Sequence, residues 1–545
     1  MLRIVILAIR WLRLGALMLL PLSVAAANVD TTAGQAIYER GVLGSGAPIE
    51  GIRDLRVRLR GAEVACINCH QRSGLGSREG LNVIPPITGR YLFDRAGSAD
   101  DQVLPYVEGV RNDRKPYTEA TLARAIRDGV DANDRTLGYL MPRFDLNDAD
   151  MEALIGYLKS LDRRNLPGVT DTVLHFATVI TPDADPVKVA GMLDVLQHYF
   201  ADKNSTPLGP TPRLRSSRKM MFMVNRLWRL HVWQLTGPPD TWQQQLERHL
   251  AEEPVLAVLS GIGGTTWAPV QGFCERAGLP CLFPNVDAPP ADADRDFYSL
   301  YFSKGVLLEA ELIAKRILDA NSGTAAGKAV RQVYRAGDIG EAGARALAAA
   351  LERRGIRIQS QVIAAKASAA DVAKALRKSA AADQLVLWLR PGDLAALGPV
   401  PTTPLVYMSG LMGGLERSPL PGSWRDRTEV AYPFDLPERR RVRVDYARGW
   451  FAIRKIAVVD ERVQVDTYLA CGLLAESLSH MADTFVRDYL VERVEDVLEH
   501  RILTGYYPRL ALATGQRFAS KGGYLVHFPD RQGTRLAADS SWIAP

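Results

Sequence analysis

Residues Cys66-Ile67-Asn68-Cys69-His70 set two thiols three positions apart with an imidazole directly after the second. This CxxCH spacing is the attachment signal for c-type haem: the thiols add across the porphyrin vinyl groups and the adjacent imidazole faces the iron. The same five residues also fit a thiol–disulfide or zinc site, so their surroundings have to decide.

Residues 1–27 read as a secretory signal peptide. Arg3, Arg10 and Arg13 form a basic start, Leu14 to Val24 an apolar stretch, and Ala25-Ala26-Ala27 a small-residue cleavage site. An uncleaved anchor is the alternative. The interruption Arg10-Trp11-Leu12-Arg13 leaves an apolar run short of the roughly 20 residues a span needs. The expectation is therefore a periplasmic protein with no membrane span after signal removal. With no cysteine at the cleavage point, a lipoprotein is not expected.

Two of the five cysteines lie in CxxCH. Cys274 and Cys281 end one predicted helix and start the next strand, so they are either a disulfide or two separately buried thiols. Cys471, on an apolar helical stretch, reads as a core residue. The net charge of +6 over 545 residues, without a concentrated basic run, gives no reason to expect nucleic acid. That length predicts about three folding units.

Around CxxCH, GQAIYERGVLG from Gly34 has helical spacing, and TEATLARAIRDG (Thr118 to Gly129) predicts a helix with Leu122, Ala125 and Ile126 buried. A last helix starts near Asn147, with Met151, Leu154, Ile155 and Leu158 on one face. Between residues 28 and 165 the only histidine is His70, and the only methionines are Met141 and Met151. Met151 belongs to the apolar stripe. Met141 precedes Pro142, which disfavours helix in the residue before it and leaves the thioether on an extended loop.

The segment resembles a class I cytochrome c domain in its early GxxxY helix, CxxCH, loop prolines (Pro85-Pro86), TLARAIRDGVD helix and MPRF before the final helix. The resemblance implies an all-α domain over 28–165 and one covalent haem c. Cys66 and Cys69 would be its thioether anchors, His70 the proximal and Met141 the distal iron ligand. A charged insertion, about Gly89 to Tyr117, departs from the family and is expected to cover the haem edge.

Beyond a linker at 166–172 the pattern becomes α/β. Strand candidates are Val173–Ile180, Met220–Val224, Val255–Ser260, Val330–Tyr334, Gln384–Leu389 and Leu405–Met408. Helices are expected at Val187–Ala201, Trp242–Ala251, Lys304–Leu318, Ala342–Arg353 and Ala370–Ser379. Such alternation predicts parallel sheets, and its length predicts two lobes. The loop Ser260-Gly261-Ile262-Gly263-Gly264-Thr265-Thr266 enters a helix near Trp267. It reads as a plain turn, a phosphate site, or a site for a ligand's carboxylate or other polar group.

This region, 173–545, resembles the type I periplasmic solute-binding proteins of the leucine/amide-binding kind. The resemblance rests on VLAVLSGIGGTTWAPVQGFCERAGLPCLFPN, FYSLYFSKGVLLEAELIAKRI, VYRAGDIGEAGARALAAAL and LVLWLRPGDLAALG. It implies a small-molecule ligand in a cleft between two lobes. Ser260 and Thr265 would meet its acidic end, with Asn285, Asp287, Asp338 and Ser409 around it. Asp338-Ile339-Gly340 replaces the usual aromatic, and the loop Ser409-Gly410-Leu411 lacks a glutamate for an α-ammonium, which argues against an amino-acid ligand.

Three functions compete. The first is an exported electron carrier with a periplasmic redox partner and a fused module that senses or docks a solute. The second is a solute receptor for an ABC-type importer with an accessory haem domain. The third, an enzyme oxidising a bound small molecule, lacks a flavin, quinone or nucleophile–base motif, and the seven histidines after His70 are scattered singly. Covalent haem contributes nothing to ordinary solute delivery, so electron transfer is the expected role.

Overall fold

The computed structural model describes residues 31–53, 57–79, 82–94, 114–161, 166–205, 226–293, 296–321, 329–379, 384–398, 405–481, 484–500, 505–513 and 515–545. The expected signal peptide, the strand Met220–Val224 and most of the insertion lie outside these residues.

In the first unit, helix Thr31–Arg40 packs against helix Asp148–Ser160. Gly34 permits the approach: a Cβ there would stand 2.1 Å from the carbonyl oxygen of Ala153. Ile37, Tyr38, Leu154 and Leu158 fill the seam, each fully buried aliphatic side chain contributing about 1.5–3 kcal/mol. Asn147 caps the last helix by accepting from the Asp150 N–H at 2.9 Å. Helix Glu119–Asp128 starts with a reciprocal Thr118–Thr121 cap and stops at Gly129, whose left-handed φ of 69° a side chain would strain.

The all-α expectation for this unit needs correction. Strands Val57–Arg60, Glu50–Arg53 and Arg143–Phe144 form a three-stranded antiparallel sheet, and Ser77–Glu79 pairs with Asn82–Ile84. The strands escape a periodicity reading because they are only two to four residues long. Residues 166–172 are no free tether: Gly168 lies so close to Val255 and Leu256 that a Cβ would meet their backbone at 2.2–2.4 Å.

Among the described residues, the rest forms two α/β lobes. The first is a five-stranded sheet, all parallel, in the order Ser299–Leu300, Cys281–Leu282, Ala257–Leu259, Val173–Ile180, Leu227–Gln234. The second has seven strands: Ile358–Ile363, Val330–Arg335, Gln384–Trp388, Leu405–Ser409 and Thr428–Tyr432 run parallel, followed by antiparallel Tyr524–His527 and Ala537–Ala538. Helix Glu461–Met481 packs both on helix Pro186–Ser205 of the first lobe and on helix Arg487–His500. The Sγ atoms of Cys274 and Cys281 are joined, with Cα atoms 6.3 Å apart, and Cys471 is a buried free thiol.

Candidate functional site

CxxCH forms one short helix, Ile67–His70, in which the Cys66 carbonyl accepts from the His70 N–H at 2.9 Å. Cys66 and Cys69 are free thiols, and burial pushes the Cys66 thiol up to about 12. His70 is buried and its Nδ1 lies 3.0 Å from the Pro85 carbonyl. A carbonyl only accepts, so the ring proton sits on Nδ1 and the Nε2 lone pair is free. Burial lowers the imidazole to about 4, against a smaller upward pull from the Pro85 carbonyl, which keeps it neutral.

Met141 sits on a pinned loop. Its N–H donates to the Gly138 carbonyl at 3.1 Å, and its own carbonyl accepts from Arg143 Nη1 at 2.5 Å. Arg143 and Phe144 then pair with Ile52 and Gly51. Gly51 makes room for this pairing: a Cβ there would stand 2.7 Å from Val64 Cγ2 and 3.2 Å from Pro142 Cβ, so those side chains would have to shift. Met141 packs half-buried against the same apolar cluster as Cys66 and Ile67. Two unbridged thiols, a neutral imidazole with Nε2 free and a thioether fit a covalent haem.

A second site lies between the lobes. Asn285, Asp287 and Ser303 line it with Leu411, Phe434, Arg462, Asp466 and Tyr507. Its void is about 20 Å³, room for about one water molecule. Arg462 Nη2 donates to Asp287 Oδ1 at 2.7 Å, and Arg462 Nη1 lies 3.6 Å from Asp466 Oδ2. Burial works to raise the Asp287 carboxyl, but Arg462 and then Lys188 outweigh it and hold it below its ordinary value. Asp466 goes the other way, to about 7, because burial outweighs Arg462. Tyr507 donates to its Oδ2 at 3.4 Å, while the buried Oδ1 has no protein partner.

Residues 60–162 match the Cytochrome c family model. A cytochrome c domain implies a covalently bound haem c, and the free thiols of Cys66 and Cys69 are available to attach it. Among solved structures, the chain is similar to a fatty acid ABC transporter substrate-binding protein from Thermomonospora curvata (16% identity, 70% of this chain, 95% of that one, TM-score 0.47). It is also similar to a possible leucine/isoleucine/valine-binding protein from Rhodopirellula baltica SH 1 (12%, 68% and 97%, 0.48). A third is a leucine-binding protein from Thermotoga maritima MSB8 (11%, 68% and 99%, 0.48). These neighbours are type I periplasmic binding proteins. No curated protein matches the chain.

In the cytochrome c domain, the sequence-predicted residues Cys66, Cys69 and His70 fall on one turn, with Met141 on the cluster that Cys66 joins. In the α/β unit the six candidates separate. Asn285 and Asp287 line the interlobe pocket. Ser260 is buried behind it, accepting from Asn285 Nδ2 at 3.0 Å and donating to Thr467 Oγ1 at 3.0 Å. Thr265 does not face the pocket's lining: its N–H and hydroxyl both donate to Asp183 Oδ2 at 2.7 Å. Asp183 thus supplies the chain's own anion to the glycine-rich loop. Asp338 caps helix Ile339–Glu352 and takes a two-point bond from Arg390 at 2.7 and 2.9 Å. Ser409 caps Gly410–Gly413 and donates to the buried carboxyl of Glu309.

Arg462, Asp466 and Tyr507 were missed because they come from elements far along the chain. Arg462 and Asp466 are an i,i+4 pair, the usual mark of a solvated helix face. Two of the scattered histidines also meet: His175 Nδ1 lies 2.9 Å from His231 Nε2, and His231 Nδ1 lies 3.1 Å from Glu253. Adjacent parallel strands bring them together.

Proposed function

We propose that this chain is an exported, single-haem c-type cytochrome that exchanges electrons with a periplasmic redox partner, while its α/β unit senses or docks a small ligand between the lobes. The observation that carries the reading is the buried, neutral His70 with Nδ1 held by the Pro85 carbonyl and Nε2 free, directly after two unbridged thiols. His70 and Met141 would hold the haem iron, and a haem so held would supply reversible one-electron transfer. The chain's own part is positional. Pro85 fixes the imidazole proton and ring plane, and the Gly51–Phe144 pairing holds the Met141 loop. Tyr139 and Leu140, exposed by 62% and 38%, leave apolar surface beside that loop for a partner.

At the cleft, the unpaired Asp466 Oδ1 offers an acceptor to a ligand bearing a hydroxyl or ammonium donor, and Phe434 and Leu411 offer apolar contact. The void admits such a ligand only if the lobes part. Absorption spectra of the purified, exported protein, oxidised and reduced, test the main reading. A covalent haem with a six-coordinate spectrum that cycles reversibly is the expected result. A chain without covalent haem, or one whose reduced iron binds carbon monoxide readily, would sink it. A thermal-shift screen of small alcohols, amines, amides and carboxylates tests the ligand module.

A further inference from the structure

The residues that follow CxxCH are buried against the α/β unit. The Ser73 N–H donates to Glu492 Oε1 at 2.8 Å and the Ser73 hydroxyl bonds Oε2 at 2.6 Å, across 419 positions of sequence. The guanidinium of Arg72 lies 4.9 Å over the Phe297 ring and 5.6 Å over that of Tyr298, and 3.8 Å from both Asp488 and Glu39. Leu75 is buried in the main core of the α/β unit.

That segment also supports the imidazole. The Gly76 N–H donates to the His70 carbonyl at 3.1 Å, the Ile87 N–H to the Gly74 carbonyl at 2.7 Å, and the Tyr38 hydroxyl to the Gln71 carbonyl at 2.6 Å. Pro85, whose carbonyl holds His70 Nδ1, is two residues before Ile87.

The contacts on the other side lead to the cleft. Glu492 belongs to helix Arg487–His500, which packs along helix Glu461–Met481, the bearer of Arg462 and Asp466. Phe297 and Tyr298 run into Phe302 and Ser303, which line the cleft. Tyr298 ties the two routes together by donating to Asp488 Oδ1 at 2.5 Å. A buried carboxyl is costly unless it is bonded, and an apolar residue would pack here at lower cost. The bonds to Ser73 are what Glu492 provides in return.

We propose that Glu492 is a positioning residue for the haem: through Ser73 it fixes the segment carrying the proximal imidazole, so that shifts of the cleft-bordering helices reach the iron's surroundings. The inference rests on the cytochrome reading above and adds to it a route between the two units.

The test is the midpoint potential of the full-length holoprotein, measured by spectroelectrochemistry at about pH 6. There the Glu492 carboxyl, which burial pushes up to about 8, keeps its proton. Glu492→Ala then removes the bonds without removing a charge, and Glu492→Gln reproduces both. Glu492→Ala and Ser73→Ala are expected to lower the potential, because water reaching the proximal side favours the more highly charged ferric form. The double variant should fall no further than Glu492→Ala, and Glu492→Gln should stay at the wild-type value. A merely structural Glu492 would lower the melting temperature and leave the potential unmoved, which overturns the proposal, as would additive shifts from the two alanine variants. If Glu492→Ala does not fold, Ser73→Ala against Glu492→Gln decides on the same criterion. Unchanged potentials in haem-loaded protein overturn this inference alone, whereas a chain without covalent haem overturns the cytochrome reading and this inference together.

Discussion

Arg462 reaches from helix Glu461–Met481 to Asp287, 2.7 Å away on the loop that follows Cys281–Leu282, and so joins two cleft elements 175 positions apart. Both side chains are largely buried, at 14% and 19% exposure. Removing this cation would leave the Asp287 carboxylate only the more distant Lys188, 3.9 Å away, in a poorly solvated place, and breaking such a buried pair costs about 3 kcal/mol or more. Arg462→Met should lower the urea midpoint of the α/β unit accordingly, and Arg462→Met with Asp287→Asn should regain most of the loss. A single variant as stable as the wild type would show that the pair contributes nothing.

Met141→Ala should keep the haem covalently attached through Cys66 and Cys69 while losing the iron–sulfur charge-transfer band of the oxidised spectrum. The vacated position should then take water or an added ligand such as cyanide, and the potential should fall, because a thioether favours Fe(II). An unchanged spectrum would remove Met141 as the ligand.

Burial holds Glu309 and Glu492 at about 8 in the folded chain, against an ordinary 4.5. Below 4.5 both states carry the proton and these groups impose no pH dependence. As pH rises from there towards 8 the unfolded chain releases protons that the folded chain keeps, so stability falls with pH and levels off above 8. The slope is at most about 1.4 kcal/mol per pH unit for each group. Glu309→Gln should flatten the denaturation profile between about pH 5 and 8, while its amide oxygen can still accept from the Leu411 N–H, now bonded to Glu309 at 2.8 Å. A profile as steep as the wild type's would assign the dependence elsewhere.

The joined Cys274 and Cys281 close a short loop between helix Ala268–Ala277 and strand Cys281–Leu282. Replacing both with serine should cost roughly 2–3 kcal/mol through greater freedom of the unfolded chain. Alkylation of the denatured, unreduced protein should leave both sulfurs unlabelled. Labelling at both would mean that the exported protein carries free thiols there.

Strands buried on both faces were legible, because continuous apolar runs mark them: Val173–Ile180 coincides with its predicted bounds, and Gln384–Trp388 falls one residue short. The outer strand Leu227–Gln234 was not, because Arg229 and His231 interrupt its sequence LWRLHVWQ and leave no continuous apolar run. The strands of the cytochrome unit were missed for a related reason: Val57–Arg60 reads VRLR, with too little apolar surface to signal a sheet. Thr265 looked like a ligand contact because a threonine at a helix entrance offers donors to an anion. Nothing local announces that Asp183 takes them.

What the sequence determined by itself is chemistry that fits within a few neighbouring residues. Two thiols and an imidazole share one turn, a thioether is kept out of helix by the following proline, and apolar runs alternate with amphipathic helices. Covalent spacing and local backbone preference suffice for these. The cleft and the contact between the units were decided only by tertiary structure. Asp287 meets Arg462, and Ser73 meets Glu492, across 175 and 419 positions. Such pairs leave no local trace, since each member reads alone as an ordinary surface charge or turn residue. Their geometry exists only once burial of the surrounding apolar faces has brought the two helices and the CxxCH segment together.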